Sequence, residues 1–238
     1  MILFISPAKT FRKTTETKDQ HPMFMNETEI LIKKLKSLSP KTIEHKMKIS
    51  SKVADQTYHY YQTFGMSKSS AIYTYFGHQY KHINPESLNN EEMEDMNNRL
   101  YIMDGLFGLL RPLDQISYYR LEMQDKTIKN LYHFWSPKII DYLRKHHKDD
   151  ILINLASNEY GQITKDLEHT YTIEFYQQKH DKLSIHSMEA KKMRGLLVNH
   201  IFKNQLKTIE ELHDIEIEGY KYSKEHSKEK DFIFIKEL

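Results

Sequence analysis

Several short stretches of this chain combine side chains that hold anions or exchange protons. Ser6-Pro7-Ala8-Lys9-Thr10 closes an apolar run. It sets hydroxyls beside an ammonium at a strand end, where open sheets place ligand groups. Lys9 with Ser6 or Thr10 could bind phosphate or activate a hydroxyl; an ordinary polar loop reads the same. Gly105-Leu106-Phe107-Gly108 precedes Arg111. Glycines let a backbone approach a phosphate closely, and a following helix offers unpaired N–H groups to it. Such contacts grip a nucleic-acid backbone without reading its sequence. A helix C-cap and a loop fit these residues too, and Pro112 disfavours helical geometry at Arg111.

Arg120 and Glu122 fall on one side of an extended segment, as a site or as a structural ion pair. Asn154, Ser157 and Glu159 follow another apolar run. They could line a cleft with acid–base capacity, although Ser157 serves equally as a helix N-cap. On a helical wheel Ala190, Met193, Leu197 and Ile201 form an apolar face, and Arg194 lies inside it. Buried arginine is rarely left unpaired, so Arg194 meets either a buried carboxylate or a ligand anion. Gly195 in mid-helix implies close packing or close ligand approach. The 14 histidines include no HExxH pattern, and no dedicated metal site or cofactor is expected.

The elements that position these groups follow from periodicity and punctuation. Met1–Ile5 reads as a buried strand and Ile151–Leu155 as another. Asn26 and Glu29 form a capping-box pattern, and Ser39-Pro40 marks a second helix start. Val53, Thr57, Tyr61 and Phe64 recur at helical spacing up to Gly65, and Ala71–Phe76 resembles a strand. Asn90 is read as the cap of a helix whose face carries Met93, Met96, Leu100 and Met103. Ser136-Pro137 is read as the start of a further helix. Thr170–Phe175 and Leu183–Ile185 pair as a hairpin around Lys179-His180-Asp181-Lys182. A helix follows from Glu189 to about Phe202, then a short helix near Ile209–His213 and strands at Glu218–Tyr222 and Phe232–Ile235. Elements arrive in clusters rather than strict alternation, which favours an α+β class in a single mixed domain over residues 1–238.

Composition narrows the function. The 238 residues contain no cysteine, which excludes disulfides, thiol chemistry and Cys-held clusters within the chain. There is no apolar run of membrane-helix length, and the apolar N-terminus has no basic residues before it, so it reads as no signal peptide. A cytoplasmic protein without membrane partners is expected. Net charge is only +2, but residues 1–52 carry 11 Lys/Arg against 5 Asp/Glu. Residues 181–207 carry 6 against 2. A basic face for nucleic acid and a solvated lysine-rich surface both fit this distribution.

Taken in order, the motifs resemble the YaaA peroxide-stress family. They are Ile5–Thr10, Gly105–Asp114, Tyr119–Met123, Leu131–Trp135, Ile153–Tyr160 and Ala190–Leu196. Each alone is weak, whereas all six in sequence are specific. The resemblance implies an α+β domain with a positively charged cleft and a helix-hairpin-helix element. It implies non-specific binding of double-stranded DNA and resistance to iron-driven oxidative DNA damage. Carried onto this chain, the hairpin is Gly105 to Gly108 with Arg111 beside it. Lys9, Arg120, Lys191, Lys192 and Arg194 are then cleft candidates. The alternative is an enzyme acting on a nucleic-acid base or a small phosphorylated ligand. For that reading Ser6, Lys9, Asn154, Glu159 and Arg194 must converge.

Overall fold

Ile2–Ile5 is apolar at every position because both faces of the strand are covered. A computed structural model describes residues 1–180 and 182–238. In it this strand sits near the middle of a mixed sheet. Five neighbouring strands run parallel, in the order Asp231–Glu237, Thr170–Lys179, Leu152–Asn154, Ile2–Ile5 and Leu100–Asp104. Antiparallel strands extend both edges: Gly108–Leu110 beyond Leu100–Asp104, and Tyr220–Tyr222 and Glu216–Ile217 beyond Asp231–Glu237. The hairpin expected near residue 180 is present as Thr170–Lys179 with Lys182–Ser184. Asp181, inside that expectation, lies outside the described residues.

The protein is therefore mixed α/β with a parallel core. The strand-clustered α+β reading missed this because the crossover from Ile2–Ile5 to Leu100–Asp104 is long and contains several helices, which separates parallel neighbours widely in sequence. Helices Met25–Lys36, Pro40–Met47 and Ser51–Gln62 follow the first strand, and Leu131–His146 precedes Leu152–Asn154. Helix Ser187–Lys203 packs against His78–Ile83. Gly195 explains how closely: a Cβ there would stand 2.3 Å from the Gln79 carbonyl oxygen. Among the described residues no helix is long and apolar enough to cross a membrane.

Several local expectations are corrected. The first long helix starts at Met25 after Phe24, so Asn26 lies inside it and the anticipated box does not form. Asn89, not Asn90, caps the acidic helix, in a reciprocal box with Glu92. That helix ends at Arg99, and Leu100 and Met103 belong to a strand. Ala71–Phe76 is mostly a single helical turn, Ala71–Thr74. Ser136-Pro137 starts nothing, because its helix begins at Leu131 behind Asn130 and carries Pro137 within.

The largest correction concerns Gly105–Gly108. These residues form the tight turn between two antiparallel strands, Leu100–Asp104 and Gly108–Leu110, and no helix adjoins either side. No helix-hairpin-helix exists here. Both glycines are buried, and the N–H groups inside the turn, those of Leu106 and Phe107, are taken by the Asp104 carboxylate.

Candidate functional site

Ser6 and Ser157 stand at the carboxyl ends of adjacent parallel strands, and each ties the other down. The Ser157 N–H donates to Ser6 Oγ at 2.8 Å, and Ser6 Oγ donates to Ser157 Oγ at 3.2 Å. Tyr80 donates its hydroxyl to the Ser6 carbonyl at 2.9 Å. None of these partners is a base, so Ser6 braces the loop rather than acting as an activated nucleophile.

Beyond it opens a cavity of about 650 Å³, lined among others by Ser6, Lys9, Arg120, Glu122, Glu159 and Arg194. Its size suits a nucleotide-sized ligand. The walls are aromatic at Phe11, Phe76, Tyr80 and Tyr119. A second, shallower hollow of about 740 Å³ lies at the far edge of the sheet beside Tyr222 and His226, and none of the strand-end groups reaches it.

The polar wall is an ion network. Lys9 pairs with Glu122, and Arg120 reaches the same carboxylate at 3.3 Å. The Arg120 Nε is buried without a partner. The Glu122 N–H donates to Asp125 at 2.7 Å, and the Gln124 N–H to Glu159 at 3.1 Å. Burial raises the proton affinity of Glu159, against the pull of the Gln124 N–H, and the Glu122 charge adds to the rise. Burial likewise pushes Asp125 up to about 6. The loop thus holds carboxyls poised to exchange protons closer to neutrality than ordinary acids do.

Asp125 yields a pH prediction. Its folded value lies above the roughly 3.9 of an unfolded aspartate. Its contribution is fully present below that lower value and is lost as pH rises through about 6. Asp125→Asn retains an acceptor for the Glu122 N–H. At pH 8 it should be more stable than the parent by about 1–2 kcal/mol, allowing for partial solvent access. The gap should close towards pH 4, as followed by urea unfolding across pH. A gap constant with pH would show that Asp125 does not titrate this way.

On the opposite wall, Arg194 extends from helix Ser187–Lys203 with its Nε buried and unpartnered. No carboxylate among the described residues lies within ion-pair distance of it. Burial lowers its proton affinity, opposed by the Glu174 charge, and the guanidinium remains a cation. Gln79, only 8% exposed, also lines the cavity and has a buried Nε2 without a partner.

The structure therefore brings Ser6, Lys9, Arg120, Lys191, Glu159 and Arg194 to one cavity. Asn154 stands beneath it: its Oδ1 accepts the Ala156 N–H at 3.0 Å and its side chain packs on Gly161. Lys192 faces elsewhere, towards Glu218 at 3.4 Å and Glu189 at 4.0 Å. Gly105 and Gly108 are not part of the lining, and Arg111 is bound to buried Asp114 at 2.8 Å and to the His21 carbonyl at 3.1 Å. Charge in the cavity is mixed, with Glu122, Glu159 and Glu174 beside the four cations Lys9, Arg120, Lys191 and Arg194.

Sequence reasoning missed Gln79 and the network behind the cavity wall. Asp104, fully buried, accepts hydrogen bonds from the Tyr75 hydroxyl at 2.8 Å and from the Tyr119 hydroxyl. An acid between an apolar strand and a glycine was the available signal for Asp104. Gln79 carried none.

Comparison with known proteins places the chain in a family. The family described as "Peroxide stress protein YaaA" matches residues 1–226. A UPF0246 protein of Finegoldia magna is 37% identical over 246 residues, covering 100% of this chain and 99% of the relative. UPF0246 proteins of Clostridioides difficile and Crocosphaera subtropica are 35% and 36% identical, again over essentially their full lengths.

Proposed function

The chain belongs to the YaaA family of peroxide stress proteins, and on that premise we propose that its cleft binds and acts on a nucleic-acid base or a small phosphorylated molecule. One observation carries this reading: groups from six separate stretches of sequence meet in a single cavity at the carboxyl ends of the parallel strands. That is where open α/β sheets place ligands. Cations on both walls suit an anionic group. Glu159 supplies a carboxyl whose raised proton affinity suits acid–base work, and the Lys9–Glu122–Arg120 triad fixes charge beside it. Limiting iron-driven DNA damage is the cellular outcome proposed for that activity.

A second reading, non-specific binding of duplex DNA, is favoured by a different surface. Lys33, Lys34, Lys36, Lys41, Lys46 and Lys52 are exposed on the three helices after the first strand, and Lys48 is exposed just past the end of the second. Among the described residues none of them pairs with a carboxylate. Such a face neutralises phosphates by counter-ion release. On this reading it, rather than Gly105–Gly108, meets the duplex.

Both readings answer to one experiment. Bacteria lacking their own copy are challenged with hydrogen peroxide while expressing the parent, Glu159→Gln, or a Lys33→Glu, Lys41→Glu, Lys46→Glu triple variant. On the cleft reading Glu159→Gln removes protection and leaves duplex affinity intact. A general acid or base accounts for about 100–10,000-fold in rate. On the duplex reading the triple variant fails instead, and parent affinity falls with salt at a log–log slope near −0.9 per phosphate. Full protection by Glu159→Gln would sink the first reading; salt-independent duplex binding would sink the second.

A further inference from the structure

One part of the cleft wall is formed by two side chains whose buried nitrogen donors meet no acceptor among the described residues. Arg194 approaches from helix Ser187–Lys203 and Gln79 from helix His78–Ile83. The Arg194 Nε and the Gln79 Nε2 are both buried without a hydrogen-bond partner. Leaving buried donors unsatisfied is costly, so each one calls for an explanation, and at a cavity wall a ligand's acceptor is one. The two helices are held in register by the Gly195 contact, where a Cβ would strike both the Gln79 carbonyl at 2.3 Å and His82 Cβ at 2.9 Å. The donors are thus mounted on a rigid pair rather than on a loop.

Glu174 is the carboxylate that faces them. It lines the same cavity, raises the Arg194 proton affinity through space, and accepts the Tyr176 hydroxyl at 2.9 Å. It stays outside ion-pair distance of Arg194, so it steadies the guanidinium charge without occupying its N–H groups. This contrasts with Arg99, Arg111 and Arg120, each of which donates to a carboxylate, although the Arg120 Nε is likewise buried without a partner.

We infer that this part of the wall is a subsite for the terminal oxyanion of a small ligand, a phosphate monoester or a carboxylate, held by Arg194 and Gln79. The inference rests on the reading of the cleft as a ligand site, and it assigns the polarity of the bound molecule. The oxyanion lies at Arg194 and Gln79, and the rest of the ligand extends between Phe76 and Tyr80 towards the Lys9–Glu122–Arg120–Glu159 wall. A guanidinium meets phosphate or carboxylate through paired N–H groups, and an amide adds a neutral donor that fixes orientation. A cavity of about 650 Å³ admits a mononucleotide or sugar phosphate but not the backbone of a duplex.

The test titrates the full chain with inorganic phosphate and, separately, acetate, by calorimetry and by thermal shift. The parent should be stabilised by at least one of the anions; phosphate alone points to a phosphate monoester and acetate alone to a carboxylate. Arg194→Met should weaken binding of that anion by about 10–100-fold, and Arg194→Lys should restore it only in part. Gln79→Leu replaces an unsatisfied amide with an apolar side chain of similar size. It should raise the unliganded melting temperature by about 2–4 °C while weakening anion binding. Neither anion affecting the parent would overturn the subsite. So would anion binding that survives Arg194→Met and Gln79→Leu but is lost in Arg120→Met, which would leave the cleft reading standing with its polarity reversed. The cleft reading fails separately, if Glu159→Gln protects fully against peroxide.

Discussion

Asp104→Ala should lower unfolding free energy by about 4 kcal/mol or more, a large share of the roughly 5–15 kcal/mol of an ordinary domain. The wild-type carboxylate takes four hydrogen bonds in a site with no solvent access. Oδ1 accepts the Leu106 N–H at 2.7 Å and the Phe107 N–H at 2.8 Å, which closes the turn. Oδ2 accepts the Tyr75 and Tyr119 hydroxyls, which also touch each other at 2.7 Å. Alanine leaves two backbone donors and at least one hydroxyl buried with no acceptor, and each costs about 1–3 kcal/mol. Asp104→Asn keeps the turn acceptor and should lose about half as much. Urea unfolding with an unchanged m-value measures both. An alanine variant within about 1 kcal/mol of the parent would show that the network is not structural.

The same network ties stability to the site. The Tyr119 ring lines the cavity while its hydroxyl is locked behind it. Burial pushes the Asp104 carboxyl up and its four hydrogen bonds pull it down. Tyr80, which also lines the cavity, packs its ring 5.1 Å from Tyr75 and donates to Ser6. A continuous set of buried phenols therefore fixes the aromatic wall and the first strand-end loop together. That is the pre-organisation a ligand site needs from its support.

What was legible in the sequence had local causes. Ile2–Ile5 is an unbroken apolar run stopped by Ser6-Pro7, and Ser39 caps its helix by accepting the Thr42 N–H at 3.2 Å, as Ser-Pro spacing implies. The polar groups after each apolar run were recognisable for the same reason, since a strand end is visible as a change of character. Where local signals tied, tertiary bonding decided. Met93, Met96, Leu100 and Met103 fit a helical face, yet Leu100 and Met103 sit in a strand buried on both sides, which periodicity cannot separate from a helix. Ala71–Thr74 turns because the Ala71 and Ile72 N–H groups donate to the Asp114 and Pro112 carbonyls. Arg194 was identified from its place in an apolar stripe, but Gln79, which lines the same cavity, was not. Their meeting depends on a helix contact across more than a hundred residues, and no spacing rule reaches that far.

Gly105→Ala and Gly108→Ala separate a phosphate-binding hairpin from a packed turn. A Cβ on Gly105 would stand 2.4 Å from the Leu121 carbonyl oxygen, a backbone atom that cannot swing aside. At Gly108, φ is +74°, and a Cβ would meet Trp135 ring carbons at 2.6 and 2.7 Å. The left-handed backbone costs alanine about 1–2 kcal/mol, and overpacking adds about 1–3. Trp135 cannot retreat freely, because it is fully buried and its indole N–H donates to the Gly105 carbonyl at 2.9 Å. Gly108→Ala should therefore lose about 2–5 kcal/mol and Gly105→Ala, which carries only the overpacking, about 1–3 kcal/mol in urea unfolding. Arg111→Ala should also destabilise, since it strips an ion pair from buried Asp114. Duplex affinity by fluorescence anisotropy, expressed per folded molecule, should stay at the parent value for all three. A variant with parental stability but no duplex binding would overturn this assignment and put the turn at the DNA surface. Destabilised variants that still bind when folded would locate duplex contact away from this turn and leave the exposed lysine face to account for it.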